Sequence, residues 1–487
     1  MRPKDNANMS KDIAHGVLSA DSPEGYHPHR AFSVVSIIGF SALLFSLFAL
    51  VACGSSLQDT IPPTTPTAST SVLLPSTPSP APITETIPTE SQPLIVTIGL
   101  WLPEEMDPYQ NTPGAKVLAQ QLDAFTDRHT EVQVDVVVKK SHGRGGLFDF
   151  LRTAWNAAPS VLPDLIVLDA ADLESAAAAG LIQPLDAVLP SAALADRFPF
   201  AAEMTTINGQ TVGFVLGADM PHAAYRRETL ETPPLTWQQV LSPPVQFVFP
   251  VGGLNREVND ATLIQYLAAG GQMTDAEGNP HLDGDALLSV LQFYHTGMGS
   301  LALSPTVTMT VSPLPISPTL ALNTYDIDQA WEKFQAGVGD LTIVQARQYW
   351  TEADDTVAIA PIPTLHGHPF SVVSGGWAIA MVTPDSARQN VALMLLDWLI
   401  APDRNGAWSQ AAGYLPGTRS ALREWELSSA DRMTLRGLLN AAVLRPPPAA
   451  METVGRVIQE AVVAVLRGRA TPEQAVSAAL ESMGQSE

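Results

Sequence analysis

The side chains best suited to chemistry in this chain are its nine tryptophans, eight tyrosines and many carboxylates, and none of them sits in a catalytic pattern. Gly-x-Ser-x-Gly, which raises a serine nucleophile on a sharp strand-to-helix turn, does not occur. Neither does His-Glu-x-x-His, which places two zinc ligands one helical turn apart. No Gly-x-x-x-x-Gly-Lys loop is present to cradle phosphates. Glu104 and Glu105 are adjacent, so their side chains diverge, whereas glycoside hydrolysis needs two carboxyls facing each other from separate elements. The one cysteine, Cys53, rules out an intramolecular disulfide and a cysteine-built metal cage. These residues predict no enzyme, no cofactor and no metal site.

The elements that must position such groups read as alternating strands and helices, the pattern of βαβ units in an α/β fold with a largely parallel sheet. Strands are predicted at Leu94–Leu100, Val132–Val138 and Leu165–Leu168, and helices at Gly114–His129, Gly146–Ala158 and Ala171–Ala179, the last ended by Gly180. Val117, Leu118, Leu122 and Phe125 share one face of the first helix. In open α/β sheets ligands sit beyond the carboxyl ends of the strands, which singles out Trp101, Lys139, Lys140 and Asp169. Asp169 has a structural alternative as the N-cap of the following segment. Further along, strand character is predicted at Gln210–Gly217, Val357–Pro363 and Ser374–Val382. Helices are predicted at Asn259–Ala269, Gly284–Thr296, Asp328–Ala336 and Ser386–Ala401. Leu303–Leu320, rich in Pro and Thr, reads as a loop. Thr471-Pro472-Glu473-Gln474 carries the signature of a capped helix start.

Forty-nine acidic against 26 basic residues leave a formal charge of −23, which disfavours sequence-independent nucleic-acid binding and electrostatic adhesion to anionic lipid. Residues 1–53 read as a signal segment: a polar stretch with Arg2, Lys4, Lys11 and Arg30, then an uncharged run from Ala31 to Ala52. Leu50-Val51-Ala52-Cys53 resembles the lipobox of bacterial lipoproteins, in which the cysteine is lipidated and becomes the new N-terminus. No Lys or Arg occurs between Ala31 and Ala115, so everything after Cys53 is expected outside the membrane, held by the lipid or by an uncleaved helix. Residues 54–93 form a Pro/Thr/Ser tract that reads as an extended, solvated linker.

The order of motifs across Leu94 to about Ser482 resembles the extracellular solute-binding proteins of the sugar-binding, maltodextrin-binding-like branch of ABC importer receptors. The resemblance rests on Leu100-Trp101, PDLIVLDAADLESAAAAGLIQPLD from Pro163, FPVGG from Phe249 and GGQMTDAEGNPHLD from Gly270. VAIAPIPTLHG from Val357, SGGWAIAM from Ser374 and GYLPG from Gly413 complete it. Leu341–Trp350 departs from the family, which has a small residue, a methionine and a glycine before the aromatic.

The resemblance implies a two-lobed, type II periplasmic-binding-protein-like α/β fold joined by crossing hinge segments. One lobe would comprise 94–215 and 357–402, the other 218–354 and 403–487. It also implies a monomer that captures a solute, a sugar by the family's habit, and delivers it to ABC permease subunits. Non-sugar solutes, a sensor role beside a receptor kinase and, as a distant rival, a surface glycoside hydrolase stay open. By position in matching motifs, Trp101, Tyr225, Trp350, Trp377 and Tyr414 are implied as stacking residues, with Trp377 foremost. Asp169, Asp219, Arg347, Gly375 and Gly376 are implied as polar or close-approach surface. Arg347 has Glu352 and Asp354 as alternative partners. Trp237, Trp331, Trp398, Trp408 and Trp425 read as packing.

Overall fold

The structure is a computed structural model that describes residues 95–242, 245–252, 257–298 and 325–485. The signal segment, Cys53, the 54–93 tract and the Leu303–Leu320 loop lie outside the described residues. Among the described residues no helix is long and apolar enough to cross a membrane.

Two sheets organise the chain. The first runs in the order Val132–Lys139, Val96–Pro103, Leu165–Asp169, Gly375–Met381, Phe214–Asp219, with the first three strands parallel and Gly375–Met381 antiparallel to both its neighbours. Helices cover both faces, which is why Leu165, Ile166, Val167 and Leu168 are all fully buried and read as a continuous apolar run. Leu118, Leu122 and Phe125 of the Pro113–Arg128 helix pack on one face with Leu395 and Leu399 of the Ser386–Ile400 helix. Leu147, Leu151 and Leu173 pack on the other face. The Pro113–Arg128 helix starts where Thr112 accepts a hydrogen bond from the Ala115 N–H and proline occupies the first turn.

The second sheet has the order Val357–Ala360, Pro221–Arg226, Leu341–Gln345, Phe247–Val248. Its core takes in the helices Asp260–Ala268, Gly284–Gly297 and Arg456–Leu466. The final helix, Pro472–Ser482, begins with the expected box: Thr471 accepts from the Gln474 N–H while the Gln474 side chain caps the Thr471 N–H.

The chain passes from the first sheet to the second at Asp219–Pro221 and returns along Ser371–Gly375. These two crossings are stitched together. The Ser374 N–H donates to the Asp219 carbonyl at 2.9 Å, and the Ser371 hydroxyl donates to the Pro221 carbonyl at 2.6 Å. The Ser374 hydroxyl also donates to Asp260 at 2.6 Å, and Asp260, 6% exposed, is ion-paired to Arg445.

Strand pairing moves the expected boundaries. Phe214–Asp219 lies wholly in the first sheet, so the crossing falls at 219–221 and not at 215–218. Val357–Ala360, expected in the first lobe, pairs with Pro221–Arg226 in the second sheet, because its buried, β-branched sequence suits either sheet and only the long-range partner chooses. The Pro402–Ala412 helix, expected from Asp403 onward with the second lobe, packs on the first. There Gln121 donates to the Arg404 carbonyl and Asn405 to the Leu216 carbonyl, both at 2.9 Å.

Candidate functional site

Trp377 stands near the start of the Gly375–Met381 strand, opposite Asp169 on one neighbour and Gly217 on the other. The register shifts between Trp377 and Ala378, a bulge of the kind that re-aims a side chain at the end of a ladder. Tyr414 reaches the same place from the Pro402–Ala412 helix. That helix ends on Gly413 at φ +77°, a left-handed cap that only glycine adopts without strain, and the chain doubles back so that Leu415 and Ala218 exchange two backbone bonds of 2.8 Å. Gly217 makes room beneath: a Cβ there would lie 2.6 Å from the Tyr414 Cβ. The Tyr414 ring stacks on Trp408 at 6.0 Å and 16°, with the Trp377 side chain close to its hydroxyl. The result is an aromatic wall against the end of the first sheet.

Charged groups flank the wall. The Arg347 guanidinium, on the Ala346–Glu352 helix that follows the central strand of the second sheet, lies 5.0 Å over the Tyr414 ring. The Arg347 N–H donates to Asp219 at 3.0 Å, so the hinge carboxylate is read from the second lobe. Burial pushes Asp219 up to about 6, against the pull of the Arg347 N–H and charge. On the other side His142 stacks on Trp377 at 5.8 Å and 22°, with its Nε2 3.7 Å from Asp169 Oδ2. Burial and the neighbouring Asp169 also raise Asp172. A cavity of about 670 Å³ opens beside the wall, lined by Glu104, Glu105 and Gln110 from the first lobe, Arg347, Gln348 and Thr351 from the second, and Tyr414. That volume lies in the range of sites for small organic ligands. Among the described residues no cluster of three or more His, Cys, Asp or Glu is arranged to hold a metal ion.

The sequence profile of the bacterial extracellular solute-binding proteins matches residues 120–433, well over half of the chain. The chain belongs to that family. No protein of curated function matches this solute-binding protein by sequence. Its fold is similar to that of the cyclic α-maltosyl-1,6-maltose binding protein from Arthrobacter globiformis. The two are 18% identical with a TM-score of 0.59, covering 80% of this chain and 98% of that one. The sugar-binding protein MalE from Xanthomonas citri is 19% identical with a TM-score of 0.57, covering 79% and 96%. An ABC transporter solute-binding protein from Thermotoga lettingae, bound with α-D-tagatose, is 18% identical with a TM-score of 0.54, covering 80% and 98%. Such similarity establishes the two-lobed α/β architecture of this solute-binding protein, and its family is one of extracellular solute-binding proteins and not of enzymes.

Within this solute-binding protein the structure gathers Trp377, Tyr414, Arg347, Asp169 and Asp219 around one wall, and Gly375 beside them, where a Cβ would meet nothing within 4 Å. Gly376 serves packing, since a Cβ there would approach the Gly217 carbonyl at 3.2 Å. Asp169 fulfils its alternative as well, capping the Ala171 N–H at 2.8 Å while it faces His142.

Three expected stacking residues stand elsewhere. The first strand runs on to Pro103, which puts Trp101 inside it, 3% exposed, with its ring covered by Lys139 at 4.6 Å and Phe150 at 5.3 Å. Lys139 itself is held below its usual range by burial. Tyr225 pairs with Leu341 and Ala358 at the far end of its strand from the hinge, against the second core. Trp350 packs edge-on against Tyr349 and Trp425, because the departure at Leu341–Trp350 folds as a strand followed by a helix. Arg347 pairs with neither Glu352 nor Asp354 in the described residues.

Sequence reasoning missed His142 and the cavity face of Glu105, which accepts from the Ser141 hydroxyl. The rule that ligands gather beyond strand ends reached Lys139 and Lys140, stopping two residues short of His142. Trp408, read as packing, is 4% exposed and is the support of Tyr414.

Proposed function

We propose that this protein captures a carbohydrate in the cleft between its lobes and delivers it to the membrane permease of an ABC importer, held outside the cell through lipidated Cys53. The observation that carries this reading is the Trp377–Tyr414–Trp408 wall at the hinge, flanked by Asp169 and Asp219 and reached by Arg347 from the opposite lobe. Sugars present C–H faces to aromatic rings and hydroxyls to carboxylates and guanidinium groups, and this wall offers both. Proteins of the same fold that bind maltosyl sugars or tagatose support the class of ligand.

Trp377, Tyr414, Arg347, Asp219 and Asp169 are assigned to ligand contact. A ligand touching both lobes stabilises the closed arrangement by its differential affinity for it, and a permease distinguishes closed from open. The lobes are assigned as 95–219 with 375–417, and 221–360 with the C-terminal helices.

A thermal-shift screen of the full-length protein against mono-, di- and oligosaccharides, polyols and amines tests the reading. Ligand at a hundred times its Kd adds about 2.7 kcal/mol to stability. A saccharide is expected to raise the melting temperature of the wild type, and Trp377→Ala is expected to abolish that rise while its own unliganded transition stays cooperative. A rise only with amines would move the assignment to a non-sugar solute. Metabolic palmitate labelling lost in Cys53→Ser tests the anchor.

A further inference from the structure

The best stacking surface of the cleft is already occupied by the protein itself. Trp377 is only 6% exposed, and the flat ring over it belongs to His142, whose side chain is itself 57% exposed. At a centroid separation of 5.8 Å and 22° the two rings are in stacking contact, and no third ring fits between them. The Asp169 carboxylate lies 3.7 Å from the His142 Nε2 at the side.

Backbone and side-chain hydrogen bonds hold the loop that carries His142, while the His142 ring itself is exposed on one side. The Ser141 hydroxyl donates to Glu105, the Leu147 N–H donates to the Lys140 carbonyl at 2.9 Å, and the Gly145 N–H donates to Asp149 at 2.8 Å. Between these clips Gly143 turns the chain at φ +74°, and its carbonyl accepts the Gly146 N–H at 2.9 Å. The His142 side chain, 57% exposed, turns away about its own side-chain torsions with these backbone bonds left in place.

We propose that His142 is a placeholder gate: without a ligand its ring covers the Trp377 face, and a ligand must turn the His142 ring aside to bind. The proposal rests on the reading of Trp377 as the ligand's platform. It makes His142 a residue that sets the cost and rate of binding by competing for the surface. The stacking lost on opening lowers apparent affinity by the fraction of molecules in which the face is free.

Two measurements on the full-length protein test this. The first needs no ligand: acrylamide quenching of tryptophan emission in wild type, His142→Ala, His142→Phe and Trp377→Phe. The chain has nine tryptophans, so His142→Ala is expected to open about one further ninth of the emission to quencher. His142→Phe is expected to restore protection, since any flat ring covers the face, and the gain is expected to vanish when His142→Ala is combined with Trp377→Phe. No gain in His142→Ala, or a gain that survives in the double variant, overturns the gate.

The second measurement is stopped-flow and calorimetric binding of maltotriose and D-tagatose. His142→Ala is expected to tighten binding about 3- to 10-fold, mostly through faster association. Weaker binding in that variant makes His142 a ligand contact and overturns the proposal. If neither sugar binds the wild type, the carbohydrate reading loses support while the quenching result still decides the gate.

Discussion

Replacing Asp219 with Asn removes one charge from the hinge and leaves the shape of the crossing unchanged. The Asp219 carboxylate accepts the Arg347 N–H at 3.0 Å and the Met220 N–H, while burial and the nearby Asp260 charge oppose its ionisation, the balance lifting its pKa from 3.8 to about 6. Between those two values the folded protein binds more protons than the unfolded chain. Stability contributed by this group is therefore highest in acid, falls as pH rises from about 4 through about 6, and stays at the lower level above. At 1.36 kcal/mol per pH unit the full penalty is up to roughly 3 kcal/mol, and partial exposure of the residue brings it below that ceiling. Asn keeps an oxygen for the two N–H donors and does not ionise. Asp219→Asn is expected to be about 1–3 kcal/mol more stable than wild type at pH 7 and equal to it near pH 4. Urea unfolding of the full-length protein, followed by far-ultraviolet circular dichroism at half-unit steps from pH 4 to 7.5, gives the difference directly. Wild-type and variant curves that run parallel across that range would refute the claim that hinge burial costs this carboxylate its charge.

Two other substitutions separate positioning from stability. Gly217→Ala sets a methyl group 2.6 Å from the Tyr414 Cβ and 3.2 Å from the Trp408 ring. It is expected to cost about 1–3 kcal/mol in urea unfolding and to reduce the saccharide-induced thermal shift, because the wall must move. Asp164, 3% exposed, accepts the Gly99 N–H at 2.9 Å and pairs with Arg388 at the opposite end of the strand from Asp169. Asp164→Ala leaves the buried Gly99 N–H without its acceptor, while Arg388, 46% exposed, keeps the Thr97 carbonyl, and it is expected to cost about 1–3 kcal/mol in the same assay, with the Kd for ligand unchanged.

Local pattern alone located the first strands and helices and the final helix, and left the Pro221–Arg226 and Leu341–Gln345 strands and the helices between Pro402 and Leu466 unpredicted. The Thr471 box, the Gly180 stop at φ +67° and the Leu118, Leu122 and Phe125 stripe depend on residues within one or two turns of each other, so they are legible in sequence and appear as expected. Order of motifs along the chain was enough to name the family. The site was harder, because its members are brought together across the chain: His142, Trp377, Tyr414 and Arg347 meet only through strand pairing and the left-handed turn at Gly413. Trp101 and Trp377 illustrate the limit. Both follow or begin a strand at the same sheet end, yet three extra residues of pairing bury Trp101 beneath Lys139, whereas a bulge turns Trp377 to the wall.

The amino-acid sequence by itself determined the capped and stopped elements, such as the Thr471 helix and the Gly180 stop, which follow from neighbours a few residues apart, and, through the order of its motifs, the family. Tertiary structure alone decided which sheet Val357–Ala360 joins, which lobe the Pro402–Ala412 helix covers and which aromatic ring faces the cleft. A buried apolar strand carries no mark of its distant partner, and an aromatic side chain packs as readily into a core as into a cleft until the surrounding chain closes one of the two.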